Sequence, residues 1–250
     1  FYYTFDTSHQ QLLFASEPKA FRAMGFPMNV NETALLSYLG LNQVSVPGDP
    51  FQTFYEGLRQ LPPAHYLLYT PEIDKKGPQT FPYWKAKAAT LTFRSYSSAL
   101  EEFQERLQHS VSLRLRSDVA VGTSLSGGID SAAIVATLHQ LPKTNTSAFQ
   151  HQSFTAVFPG FEKNEQAGAA KTAQRFNLTP HWSEVNAAIF SEQIVQVIRK
   201  HEEPVSSSSI FAQYKVFEEA RRQGIKVLLD GQGADELLGG YSRYKIWFLQ

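Results

Sequence analysis

The sequence predicts an α/β fold: a parallel sheet with helices on both faces, preceded by a shorter β-rich stretch. Two observations carry this. From about residue 98 to residue 229, short apolar runs alternate with stretches of helical periodicity, and strands that alternate with helices pair in parallel and are covered on both faces. Residues 1–85 show apolar positions at period two joined by turn-rich segments, as antiparallel hairpins do.

Taken in order, Phe1 to Phe5, the polar turn Asp6-Thr7-Ser8-His9, and Leu12 and Phe14 at period two predict a first hairpin. Asn31 to Leu39 predicts a short helix with Gly40 as its stop. His65 to Thr70 and Thr80 to Trp84 flank Pro71 to Pro78, a second hairpin around a turn rich in Pro, Gly and charge. Ser98-Ala99-Leu100-Glu101 matches a capping box, and Leu100, Phe103, Leu107 and Val111 lie on one face of a helix running to about Leu115. Asp118 to Leu125 reads as a buried strand, Ser126-Gly127-Gly128 as a turn, and Ile129 to Gln140 as a helix broken by Pro142. The alternation repeats with strand Ser153 to Phe158, helix Asn164 to Phe176, a short strand His181 to Val185, helices Ala187 to Lys200 and Ser209 to Gln223, and strand Ile225 to Leu229. The domain division expected from this is 1–88 and 89–250.

Composition excludes several functions. The 250 residues are 42% hydrophobic and 18% charged, a folding composition rather than a disordered or fibrous one. Twenty-three Lys+Arg balance 23 Asp+Glu, so the broad positive field of a nucleic-acid binder is missing. Cysteine is absent, which rules out a disulfide scaffold, a thiolate zinc site and a cysteine nucleophile in these residues, and fits a reducing, cytoplasmic compartment. No apolar run approaches the ~20 residues that span a bilayer, so no membrane role is expected. The chain opens at Phe1 already in strand composition, and Ile246 to Gln250 run on without a stop signal; it reads as a segment of a longer protein.

Two segments carry chemistry. Ser126-Gly127-Gly128-Ile129-Asp130-Ser131 lies between an apolar strand and an apolar helix. Adjacent glycines let backbone approach a bulky anion, and a helix starting at Ile129 aims unpaired N–H groups and its positive dipole end at the same place. Ser126 and Ser131 add hydroxyls, while Asp130 suits a Mg²⁺ ion that bridges phosphates. The same residues would also serve a plain strand-to-helix turn with caps. The second segment, Asp230-Gly231-Gln232-Gly233-Ala234-Asp235-Glu236-Leu237-Leu238-Gly239-Gly240-Tyr241, holds four glycines and three carboxylates in twelve residues. In an open α/β sheet, ligands bind beyond the carboxyl ends of the strands, where both segments fall, so Asp130 and Asp235 are expected to converge on one metal ion. His109, His139, His151, His181 and His201 show no ligand spacing.

The first segment is neither a Walker A loop nor a dinucleotide fingerprint. It resembles the Ser-Gly-Gly-x-Asp-Ser pyrophosphate loop of the ATP pyrophosphatase (PP-loop) superfamily, whose members cleave ATP between the α and β phosphates. Paired with Gly233-Ala234-Asp235-Glu236 about a hundred residues later, it looks like the synthetase domain of glutamine-dependent asparagine synthetases. Leu13-Phe14-Ala15-Ser16-Glu17-Pro18-Lys19-Ala20-Phe21 resembles the closing signature of that family's N-terminal-nucleophile glutaminase domain. Leu61-Pro62-Pro63-Ala64-His65-Tyr66, Tyr83-Trp84, Phe158-Pro159-Gly160 and Glu202-Glu203-Pro204 also fit the family's patterns.

Carried over by residue, the resemblance implies that Ser126, Gly127, Gly128, Asp130 and Ser131 hold the pyrophosphate end of ATP. Leu125, Ala156 and Gly231 would line the adenosine pocket, Asp130 and Asp235 would hold Mg²⁺, and Gly233, Ala234, Asp235 and Glu236 would face the bound aspartate. It further implies a ligase that makes asparagine with ammonia from glutamine, acting on small molecules only; a homodimer is compatible with it. Gln232 stands where many members have Glu, and an amide can donate and accept hydrogen bonds but cannot be an anionic base or metal ligand. The family's nucleophilic cysteine belongs upstream of Phe1 and its catalytic lysine downstream of Gln250. Open alternatives are a relative adenylating another carboxylate (a β-lactam synthetase, a peptide cyclase, an enzyme amidating sugar acids) and a nucleotide-binding module without turnover.

Overall fold

The computed structural model describes all residues except Glu72, Lys75, 88–94, 143–147, Lys163 and Gln250. It divides into two compact units, Phe1–Thr90 with Val195–Ser208, and Leu91–Ile194 with Ser209–Gln250. The expected boundary between residues 88 and 89 lies outside the described residues.

In the first unit, β1 (Tyr2–Asp6) and β2 (Gln11–Ala15) form the first hairpin, running antiparallel from Tyr2 opposite Ala15 to Asp6 opposite Gln11. Its turn is tied by the Asp6 carboxylate, which accepts the N–H groups of Ser8 and His9. Helix α1 (Pro18–Ala23) was not expected; Pro18 fits its first turn and Phe21 is fully buried. Helix α2 (Glu32–Leu41) is capped by Asn31, whose Oδ1 accepts the Ala34 N–H at 3.2 Å. It runs through Gly40 and stops at Asn42, which takes the left-handed conformation that ends helices. Strand β3 (Arg59–Gln60) pairs with the other edge of β1, and β4 (His65–Leu68) with β5 (Gln79–Pro82) is the second hairpin.

Val195–Ser208 completes this unit, although sequence order places it in the second half. Its backbone carbonyls are held by side chains: Tyr38 Oη donates to Val205 O at 2.8 Å, Asn42 Nδ2 to Ser206 O at 3.3 Å, and Tyr55 Oη to Glu202 O. Burial, with help from Glu203 and Glu202, pushes the Tyr2 hydroxyl up to about 12.

The second unit opens with α3 (Tyr96–Arg114). Its capping box is formed by Ser95 and Ser98, three residues before the expected one, and only the lower half of the predicted face is buried: Val111 is in the core while Leu100 and Phe103 are exposed. Then follow β6 (Val121–Ser124), α4 (Ile129–Gln140), β7 (Phe149–Val157), α5 (Gln166–Arg175), β8 (Thr179–Glu184), α6 (Ala187–His201), whose residues from Val195 onward belong to the first unit, α7 (Ser209–Arg222), β9 (Val227–Leu229), α8 (Ala234–Leu238) and α9 (Ser242–Leu249). Helix α4 has the expected limits; Leu141, extended ahead of Pro142, ends it.

Strands β8, β7, β6 and β9 pair in that order and all in parallel, giving the expected sheet. One face is covered by α3, α4 and α5 through Val111, Leu115, Val135, Leu138, Ala169 and Ala173. The other is covered by α7, with Val216 and Ala220 on Phe154 and Ile225. The chain steps outward from β6 to β7 to β8, then returns to place β9 on the far side of β6. The order therefore reverses between β6 and β9, and the crevice beyond their carboxyl ends is where such sheets bind ligands.

Candidate functional site

Both chemical segments emerge at that crevice. Central strand β6 pairs with β9 from Val121 opposite Val227 to Thr123 opposite Leu229. Thr123, fully buried, also ties them with its hydroxyl, which donates to Leu229 O at 3.1 Å.

The turn after β6 is closed from inside. Ser131 Oγ accepts the Ser126 N–H at 3.1 Å and lies 2.9 Å from Ser126 Oγ, which accepts the Gly128 N–H at 3.2 Å. Ser131 is 5% exposed, so its hydroxyl shapes the turn. Helix α4 starts at Gly128 with no side-chain cap, leaving its first-turn N–H groups for an outside acceptor and its dipole's positive end uncompensated. Gly127 packs against α5: a methyl group there would stand 2.8 Å from Glu165 O, and one at Gly168 would stand 2.9 Å from Gly127 Cα. Sequence reasoning missed Gly168; the signal was a glycine among alanines in a helix, where it costs about 1 kcal/mol relative to alanine.

The second segment folds over the first. Gly231 is pressed against the start of α4, where a methyl group would meet Ser131 N at 2.9 Å and Asp130 C at 3.0 Å. The Gln232 N–H is held by Asp230 Oδ1 at 3.2 Å, and Gly233, left-handed, starts α8. Asp235 is in the first turn of α8, with its carboxylate against Gly240. Glu236 accepts a hydrogen bond from Tyr241 Oη at 2.9 Å, and this bond, then burial, raises the Tyr241 hydroxyl's pKa. Asp230, Gln232 and Glu236 are exposed; Asp130, Gly231, Gly233, Ala234 and Asp235 are half-buried.

The structure thus brings Gly231 into contact with Asp130 and Ser131, and places Asp130 and Asp235 in the first turns of helices that follow adjacent strands. Neither carboxylate accepts a hydrogen bond or forms an ion pair among the described residues. Two unpartnered carboxylates fit Mg²⁺, which takes one or two protein carboxylates with water and phosphate oxygens. Among the described residues no three His, Cys, Asp or Glu cluster as a metal site. Leu125 is buried in the core; its N–H donates to Phe154 O and its carbonyl accepts from Thr155 Oγ1. Its side chain is thus part of the core, and its backbone is fixed at the end of β6. Ala156, near the end of β7, is half-buried against the Phe154 cluster. Among the described residues no helix is long and apolar enough to cross a membrane.

Residues 102–250 match the family model for asparagine synthase, and residues 1–104 match that for a glutamine amidotransferase domain. Asparagine synthetase [glutamine-hydrolyzing] 1 of Bacillus subtilis is 28% identical over 248 residues, 98% of this chain and 36% of the relative. Amidase chry2 of Gibberella zeae is 30% identical over 252 residues, 96% of this chain and 36% of the relative. The chain thus spans about a third of the length of these relatives. The glycine turn, the second loop and the parallel sheet all lie within the first match, which covers more than half of the chain: this protein belongs to the asparagine synthase family.

Proposed function

We propose that this chain carries the ATP-binding part of an enzyme that amidates aspartate to asparagine through β-aspartyl-AMP, using ammonia released from glutamine. The observation that supports the reading is the fit of Gly231 onto the first turn of α4, which joins the second loop to a helix start whose N–H groups have no side-chain cap. ATP is a substrate here. The aspartate β-carboxylate attacks the α-phosphorus, a P–O bond forms, and the bond to pyrophosphate breaks. The first-turn N–H groups of α4, positioned by the Ser126–Gly128 turn, hold the leaving pyrophosphate, whose charge grows in the transition state. Asp130 and Asp235 would hold Mg²⁺, which supplies positive charge against the phosphates. Ammonia then attacks the activated carbonyl carbon and AMP departs with the C–O bond electrons. Gly233, Ala234, Asp235 and Glu236 face the acceptor, and Gln232 acts by hydrogen bonding.

A second reading, the same activation of a different carboxylate, is favoured by the similarity to amidase chry2, which matches that to the synthetase. Calorimetric titration of ATP into the chain, with and without Mg²⁺, beside Asp130→Ala and Asp235→Ala, tests what both readings share. Mg²⁺-dependent binding lost in both variants is the expected result. Binding that is indifferent to Mg²⁺, or unchanged in both variants, would overturn the metal assignment. Pyrophosphate release driven by aspartate rather than by other free acids, in the full-length protein, separates the two readings.

A further inference from the structure

Helix α5 is docked on the glycine turn through a contact between two glycines. A methyl group at Gly168 would stand 2.9 Å from Gly127 Cα and 3.1 Å from Gly127 O. Its obstacles are backbone atoms, which cannot swing aside as the tip of a side chain can. Neither Gly127 nor Gly168 has a positive φ, so neither is glycine because of its torsions; the requirement is space. Gly168 lies in the first turn of α5 between Ala167 and Ala169, where alanine would be the better helix former. The helix forgoes that gain at the position that touches the turn.

We propose that Gly168 is a positioning residue for the anion turn, setting by its lack of a side chain where the Gly127 peptide sits. The functional half of this rests on the reading above, that Ser126–Ser131 holds the pyrophosphate end of ATP. Relief of the contact from 2.9 Å to an ordinary 3.4 Å moves the Gly127 backbone or the start of α5 by about 0.5 Å, the tolerance within which such constellations must be held. Gly127 lies between Ser126 and Gly128, whose N–H groups donate to Ser131 Oγ and Ser126 Oγ at 3.1 and 3.2 Å. A shift there loosens the serine clamp and re-aims the first-turn N–H groups of α4.

The test is Gly168→Ala in this chain, read in two ways. Hydrogen exchange without ligand reports the turn itself, and calorimetry with Mg²⁺-pyrophosphate and with AMP reports its use. Expected are faster exchange at Ser126–Ser131 and at least about tenfold weaker pyrophosphate binding, equivalent to about 1.4 kcal/mol, with AMP binding unchanged because AMP does not need the pyrophosphate turn. Ala170→Gly, at an exposed position of the same helix, weakens α5 by propensity alone; it should leave both the exchange at the turn and pyrophosphate binding as in the wild type. Wild-type exchange in Gly168→Ala, or the same turn opening in Ala170→Gly, would overturn the positioning role. A wild-type chain that does not bind pyrophosphate would overturn the reading of the turn and with it the functional half, while the exchange data still decide the structural half.

Discussion

Gly231→Ala isolates the contact that joins the two loops. A methyl group there would stand 2.9 Å from Ser131 N, 3.0 Å from Asp130 C and 3.1 Å from Asp130 Cβ. Gly231 has no positive φ, so alanine suits its torsions and the effect is steric. Restoring ordinary contact at 3.4 Å requires the loop and α4 to separate by about 0.5 Å. Overpacking of this kind costs about 1–3 kcal/mol, and at roughly 2–4 °C per kcal/mol the melting temperature falls by about 2–12 °C. The displaced atoms include first-turn N–H groups of α4, so Mg²⁺-ATP affinity should drop about tenfold or more, a loss of at least about 1.4 kcal/mol. Gly224→Ala is the control. It has φ +76° and nothing within 4 Å of an added methyl group, so it costs about 1–2 kcal/mol through the left-handed backbone, at the opposite end of β9 from the site. Thermal melts and ATP titrations should show both variants destabilised and only Gly231→Ala impaired in binding. Wild-type ATP affinity in a folded Gly231→Ala protein would refute the claim that close packing of the second loop sets the site.

Phe154→Ala removes a fully buried ring that packs with Val216, Ala220 and Ile225 and stacks on His181 at 4.9 Å. Chemical denaturation should show a loss of about 3–5 kcal/mol, and a loss below about 1 kcal/mol would mean that α7 and the sheet do not share a core. Glu203→Gln acts in the other unit. Burial, assisted by Glu202 and opposed by His201, raises the Glu203 carboxyl above its ordinary 4.5. A raised folded pKa gives stability that is full below pH 4.5 and is lost as pH rises through the folded value. The amide variant should therefore melt higher than the wild type at neutral pH, with the gain disappearing below pH 4.5. An equal gain at pH 3 and pH 7 would contradict a burial origin, because at pH 3 the carboxyl is neutral in both the folded and the unfolded chain.

What the sequence determined by itself was local. The alternation of apolar runs and helical stretches, the limits of α4 and the Ser-Gly-Gly-x-Asp-Ser turn all follow from neighbours within a few residues, through torsional preference, periodicity and the effect of Pro142 on the residue before it. The resemblance carried by two short motifs named the family that the comparisons show. Helix ends set by alternatives close in energy were less legible: Ser95 rather than Ser98 caps α3, and α2 passes Gly40 to stop at Asn42. Tertiary structure alone decided the rest. That Gly231 fits onto the start of α4 depends on β9 lying beside β6, a pairing between residues about a hundred positions apart. That Gly168 fits onto Gly127, that Ser131 turns inward and that Leu125 is core follow from how α5 and the strands pack around the turn. That Val195–Ser208 joins the first unit rests on hydrogen bonds from Tyr38, Asn42 and Tyr55, more than a hundred residues upstream. Periodicity shows which face of an element is apolar, but the sheet order and the close approach of two backbones fix which element meets it.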